Sequence, residues 1–174
     1  CQVKLIKRSA GRSVTAAAAY RSGTRIEDTR TGEIHDYTRK RDVDHSVILT
    51  PEQAPAWMQE RDTLWNNVEA VENRKNSQLA REFEVALPCE LNREQQQTLV
   101  KNFAQDQFVD KGMVADIAFH HVGGSNPHAH ILLTMRDVTE EGFGKKNRAW
   151  NERALVGQWR ERWGDAVNRS LELE

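Results

Sequence analysis

The chain moves between two hydrophobic periods, and each change of period marks a new element. Cys1 to Ile6 sets Val3 and Leu5 against Lys4, the alternation of a strand. Ser13 stands in a helix-capping position ahead of an alanine cluster that runs to Tyr20. Gly23 to Asp44 is polar and reads as a long loop or a small hairpin. Ser46 to Thr50 is β-branched and apolar, hence a strand, and Pro51 and Pro55 punctuate it. Trp57, Leu64, Trp65, Val68 and Val71 then recur at helical spacing. Glu82 to Leu87 alternates again and stops at Pro88. Asn92 caps a helix with Leu99, Phe103 and Phe108 on its apolar face, closed by Gly112. Val114 to His121 and His128 to Arg136 read as two strands. The turn-rich linker from Val122 to Pro127 makes them antiparallel neighbours. Val138 to Arg148 reads as a loop bearing glycine and lysine. In the tail, Leu155, Trp159, Trp163, Val167 and Leu171 recur every fourth residue, an apolar helix stripe whose tryptophans are expected in the core.

The order strand, helix, strand, helix, strand, helix, strand, strand, helix predicts an α+β domain. We expect a mainly antiparallel sheet of about five strands with helices on one face. The 174 residues fit one domain, 1–174, with a single sizeable core. The chain opens on Cys1, directly in a strand-like run, so a fragment of a longer protein is expected. No apolar run approaches the roughly 20 residues that cross a bilayer, and no membrane insertion is expected. Cys1 and Cys89 form no C-x-x-C pair and no disulfide framework, which fits a reducing cytoplasm. Net charge is −1, so no global basic field points to nucleic acid. The charge is uneven, however. Residues 1–41 carry ten Lys and Arg against four acids, a surplus that suits a phosphate-binding patch as well as a solvated loop.

Read face by face, each strand has an apolar side and a polar side. Phe83, Val85 and Leu87 lie on odd positions, as do Ala115, Ile117 and Phe119, and Ala129, Ile131, Leu133 and Met135. The even positions hold Glu82, Glu84, Asp116, His120, His128 and His130. His128 and His130 are two apart and project the same way, and His120 ends the preceding strand across a short turn. Three neutral imidazoles can converge there on one divalent ion, and three protein ligands leave positions open for reaction. His121 alternates to the other face and is excluded. Spacing does not fix the ion: imidazole suits Zn, Ni, Co and Mn, while phosphate substrates bring Mg or Mn.

The absence of H-E-x-x-H argues against a metalloprotease. Leu132 stands where a histidine-triad phosphohydrolase would carry a further histidine. A lone ion near a basic segment suits phosphate-ester chemistry, which needs an activated water or a side-chain nucleophile. Tyr20, one of two tyrosines, follows the alanine cluster and precedes Arg21. On the residues alone it reads more readily as an ordinary buried or surface tyrosine than as a nucleophile.

His120 with the run Asn126–Thr134 (NPHAHILLT) resembles the three-histidine motif of HUH endonucleases. Ala10–Gly23 (AGRSVTAAAAYRSG) is similar to the N-terminal motif of MobA/MobL (MobQ-type) conjugative relaxases. So are Thr31–Lys40 (TGEIHDYTRK), Arg81–Pro88 (REFEVALP) and Gly142–Lys146 (GFGKK). These motifs occur in order and span essentially the whole chain. The resemblance implies a relaxase domain, N-terminal in a longer protein, that nicks single-stranded or hairpin origin-of-transfer DNA. It implies Tyr20 as nucleophile and His120, His128 and His130 as ligands of one divalent ion, Mg or Mn before Zn, Ni or Co. Glu82 would assist, with Glu84 behind it, and Arg21, Lys145 and Lys146 are candidate DNA contacts. Accessory relaxosome proteins, a type IV secretion coupling protein and a bacterial cytoplasmic setting are also implied. Two competing readings are an HUH replication initiator, which an attached helicase would favour, and a non-enzymatic hairpin-binding module with a structural metal.

Overall fold

The odd-face residues of the three alternating segments do share one side of a sheet. The structure, a computed structural model, describes residues 1–121 and 125–173. Residues 122–124 of the expected histidine turn lie outside the described residues. The elements run β1 (Gln2–Lys7), α1 (Val14–Ser22), β2 (Arg25–Glu27), β3 (Ile34–Asp36), β4 (Val43–Leu49), α2 (Arg61–Val71) and β5 (Gln78–Ala86). They continue with α3 (Arg93–Gln107), β6 (Ala115–His120), β7 (His128–Leu133), β8 (Arg136–Thr139), β9 (Gly142–Lys146) and α4 (Arg153–Glu172). Five strands form one antiparallel sheet in the order β1-β5-β7-β6-β4, and β2-β3 and β8-β9 are separate two-stranded hairpins. The class is the expected α+β with five antiparallel strands. The segment read as a loop after Val138 is instead the second hairpin.

The helix layer is split between both faces of the sheet rather than confined to one. α3 and α4 cover the odd face. There Phe83, Ile117, Phe119 and Ile131 pack with Phe103, Phe108, Trp159 and Trp163. The rings meet edge-on or stacked, with Phe108 and Trp159 centroids 5.2 Å apart and Phe103 and Trp163 also 5.2 Å apart. The tryptophans are core, as their spacing predicted, and each buried aromatic contributes roughly 2–3 kcal/mol.

α1 and α2 pack on part of the even face, burying Ile6, Ala80 and Leu132 beneath Val14, Ala18, Leu64 and Trp65. Asp116 explains why sequence made that face look open. Its carboxylate is buried under α2, accepting from Arg61 Nε at 2.8 Å and from Trp65 Nε1 at 2.8 Å. A polar residue in an alternating strand signals solvent only while it lacks a buried partner. The rest of the even face is uncovered by these two helices. That remainder lies where α1 ends and carries the histidines.

Candidate active site

Strand register brings the site together. His120 of β6 pairs across the ladder with His128 of β7, and His130 pairs with Glu84 of β5. Residues directly opposite in an antiparallel pair hold their Cβ atoms about 5 Å apart. The three imidazole centroids form a near-equilateral triangle, with separations of 5.0 Å for His120–His128, 4.7 Å for His120–His130 and 5.1 Å for His128–His130. One ring nitrogen of each lies within 4.8 Å of the others.

Each ring donates one N–H to a fixed oxygen acceptor. His120 Nε2 donates to the Arg21 carbonyl at 2.7 Å, His128 Nδ1 to the Asn126 carbonyl at 3.0 Å, and His130 Nδ1 to Glu82 Oε1 at 2.8 Å. In a neutral imidazole this leaves the second nitrogen of every ring with its lone pair free. Burial holds His120 down to about 4, reinforced by the neighbouring His130, Lys40 and His128 and opposed by its bond to the Arg21 carbonyl. His120 is therefore neutral at neutral pH, the state a metal ligand needs. The donor set fits a divalent ion on three imidazoles.

The two glutamates divide their roles by face depth. Glu82 is fully buried and accepts from Arg21 Nη2 at 2.9 Å as well as from His130. Burial alone would raise its pKa. The hydrogen bonds and charges of His130 and Arg21 outweigh burial and hold it down to about 2. It is a fixed anion that sets the tautomer of His130, an arrangement typical of metal sites. Glu84 is partly exposed, with Oε1 3.8 Å from His130 Nε2, and it joins Glu82 and His130 in a second cluster able to take an ion. Glu84 is thus the carboxylate on the side of the free imidazole nitrogen.

α1 links this cluster to Tyr20. The Ser13 side chain accepts from the Ala16 N–H, and Ala17, Ala18 and Ala19 are buried, so the backbone lies close to the sheet. Gly23 closes the helix at φ 67, where a Cβ would stand 3.3 Å from Val43 Cγ2. Tyr20, in the last turn, is 45% exposed and meets Tyr37 edge-on at 5.1 Å. Lys40 sits over its ring, Nζ 3.7 Å from the centroid, and also donates to the Tyr20 carbonyl at 3.2 Å. The next residue, Arg21, holds His120 by its carbonyl and Glu82 by its guanidinium. One helical turn therefore carries an exposed phenol and the anchor of both His120 and Glu82.

Lys40 enters the sequence reading only as one cation of the basic segment and as the end of the TGEIHDYTRK motif, with no sign that it meets Tyr20. Strand alternation also misplaced His121. That residue leaves the strand at φ 54, so alternation ends before it. Its ring lies 5.7 Å from that of His128 and its Nε2 3.6 Å from Asp42. It stands outside the group of three histidines able to hold an ion, although it does not face away from them. Arg21 and Lys146 both have internal partners: Lys146 donates to Glu72 and to the Gln78 carbonyl, each at 2.9 Å. Lys145 is exposed.

The MobA/MobL family matches residues 12–174. This chain belongs to the MobA/MobL family. Among its MobA/MobL relatives is mobilization protein MobL of Acidithiobacillus ferridurans, 39% identical over 206 residues, covering 97% of this chain and 53% of that protein. Conjugal transfer protein TraA of Rhizobium radiobacter is 39% identical over 155 residues, 83% of this chain. The chain spans only 14% of the length of TraA. A solved structure described as the molecular basis of vancomycin resistance transfer in Staphylococcus aureus superposes with a TM-score of 0.93 at 38% identity. That match covers 98% of this chain and 91% of the other. No helix among the described residues is long and apolar enough to cross a membrane.

Proposed function

We propose that this MobA/MobL chain is the DNA-nicking domain of a plasmid mobilisation relaxase, using Tyr20 as nucleophile. The observation that carries the reading is the turn of α1 that joins an exposed tyrosine to the three-histidine cluster through Arg21. His120, His128 and His130 would hold a divalent ion, Mg or Mn in this proposal, which would supply positive charge to offset the charge that builds up on the scissile phosphate. Glu82 acts as a positioning residue, fixing His130 while its own charge is neutralised by Arg21. Tyr20 Oη forms a bond to phosphorus as the bond from phosphorus to the 3′ oxygen breaks. The phenol gives up its proton, and the departing oxygen takes one to become a free 3′-OH. The DNA end is left as a 5′-phosphotyrosine. One ester replaces another, so the same site can reverse the step and rejoin the strand. The substrate is single-stranded origin-of-transfer DNA with its flanking hairpin. Accessory relaxosome proteins and a secretion coupling protein complete the assembly, and the cytoplasm is the setting.

The test is covalent capture. Incubation with a single-stranded oligonucleotide bearing the nick site and Mg or Mn should give an adduct that survives denaturing electrophoresis. Tyr20→Phe should give none, and chelator should abolish it. An adduct that persists in Tyr20→Phe would reassign the nucleophile. Tight hairpin binding without any adduct, joined to unfolding on metal removal, would make the ion structural.

A further inference from the structure

The outer edge of β1 and the first two turns of α4 border a groove of about 840 Å³. Its charged lining residues are Lys4, Lys7, Arg81, Arg153 and Arg160, and no carboxylate lines it. In a chain of net charge −1 this is a local concentration of cations, not a consequence of composition. Arg81 forms its buried part, with only 4% of the residue exposed. Its guanidinium donates to Asn151 Oδ1 at 2.6 Å and packs over the Trp159 ring at 5.5 Å. Among the described residues no carboxylate lies within ion-pair distance of Arg81. Arg8, Arg21, Arg61 and Arg136, by contrast, each pair with a buried acid. Burial lowers the pKa of Arg81. Arg81 therefore brings a positive charge to the groove with no counter-charge among the described residues, which suits an external anion.

We infer that this groove binds the phosphates of the DNA backbone at a place distinct from the histidine cluster. The inference rests on the nickase reading above. Arg81 and Glu82 are consecutive on β5, so one strand presents a cation to the groove and an anion to the histidine face. β1 is the edge strand beside β5, and a nucleic acid strand passing around it reaches both sides. The cations are also spread along the groove. Arg153 to Arg160 spans about 10 Å of helix, and Lys7 and Arg81 line the same groove from the sheet. Cations spread over that length match a chain of phosphates better than one compact anion.

Fluorescence anisotropy with labelled mixed-sequence single-stranded DNA, repeated across a range of salt, tests the groove. The variant is Arg153→Gln with Arg160→Gln, both exposed positions. The control is Arg169→Gln with Lys111→Gln, which removes the same charge elsewhere on the exposed surface. Each single-strand phosphate contact contributes about 0.7 to the salt slope, or about fivefold in affinity at ~0.1 M salt. The groove variant should therefore bind about 25-fold more weakly with a slope shallower by about 1.4, and the control should change less than about twofold. Gly157→Leu adds bulk at a groove-lining helical position where a Cβ meets nothing, and should weaken DNA binding without altering charge. A groove variant with the parent's slope, or one that changes no more than the control, overturns the inference. So does binding of inorganic tripolyphosphate that the groove variant loses while its DNA slope stays unchanged, since the groove would then serve a free phosphate compound. The adduct assay separates the two readings. Adduct formation with an unchanged slope removes the groove alone, whereas a shallower slope with no adduct from nick-site DNA keeps the groove and removes the nickase.

Discussion

Glu82→Gln exchanges one carboxylate oxygen for an amide nitrogen at nearly constant volume. Both oxygens of Glu82 are in use: Oε1 accepts from His130 Nδ1 and Arg21 Nε, and Oε2 from Arg21 Nη2. Glutamine keeps one acceptor and turns an N–H group toward a donor. The shift of Glu82 from 4.5 to about 2, at about 1.36 kcal/mol per unit, corresponds to about 3 kcal/mol of stability from the ionised form. With the residue 0% exposed, solvent screening takes little of this away. The sign follows from proton uptake. The unfolded chain protonates this group near 4.5 and the folded chain near 2, so between those values the unfolded chain holds more protons. The stabilisation is complete above 4.5 and drains away as pH falls through about 2. Urea unfolding in chelator should find the glutamine variant about 3 kcal/mol less stable at neutral pH. The gap between the proteins should narrow steadily in acid. Calorimetric titration with Mn should show affinity reduced about 10- to 100-fold, because His130 loses the acceptor that fixes its tautomer. Glu82→Asp, which keeps the charge, should recover part of both losses. A glutamine variant as stable as the parent at neutral pH, or a gap that does not change with pH, would refute this account.

Other perturbations follow from the same geometry. His128→Ala should abolish Mn binding by calorimetry while leaving chelator-treated stability within about 1 kcal/mol, since this ring's fixed bond is only to the Asn126 carbonyl. Asp116→Asn should cost about 3 kcal/mol in urea unfolding, because Arg61 and Trp65 lose a buried acceptor, with Mn affinity of the folded protein unchanged. Trp159→Ala should cost about 3–5 kcal/mol and remove the packing partner of Arg81. Burial would raise the pKa of Glu72, but hydrogen bonds from Arg136 and Lys146 outweigh it and lower it from 4.5. Glu72→Gln should therefore destabilise at neutral pH and lose that effect as pH falls below 4.5, read by thermal unfolding across pH.

How far the sequence revealed the fold depended on whether one period carried the information. Phe83, Val85, Ile117, Phe119, Ala129 and Ile131 all sit on odd positions, and all pack in one core. The alanine cluster and Trp57 to Val71 showed two helices but not which side of the sheet they cover. That depended on the Asp116 carboxylate finding Arg61 and Trp65, residues more than fifty positions away in the chain. The hairpin after Val138 was equally hidden. Arg136 and Lys146, at its two ends, both bind Glu72 at the C-terminal end of α2, and no local pattern encodes such a pairing.

The histidine cluster shows where alternation suffices and where it fails. Period two put His120, His128 and His130 on one face, but only register makes them neighbours. A slip of one residue between β6 and β7 would send His120 to the opposite face. The β6–β7 ladder itself sets that register, and backbone bonds beside the site extend the flanking ladders: Leu87 N–H donates to the Pro127 carbonyl and His121 N–H to the Asp42 carbonyl. The cluster is therefore held from β5 on one side and from the approach to β4 on the other, without calling on the composition of the turn. Arg21 supplies the remaining constraint from outside the sheet. Its carbonyl fixes His120 and its guanidinium neutralises Glu82, so the helix that presents Tyr20 cannot shift without disturbing two members of the site. Charge alone marked Arg21 as a surface cation available to DNA. Its position after Tyr20 makes it the joint between the helix that presents the proposed nucleophile and the sheet that carries the three histidines.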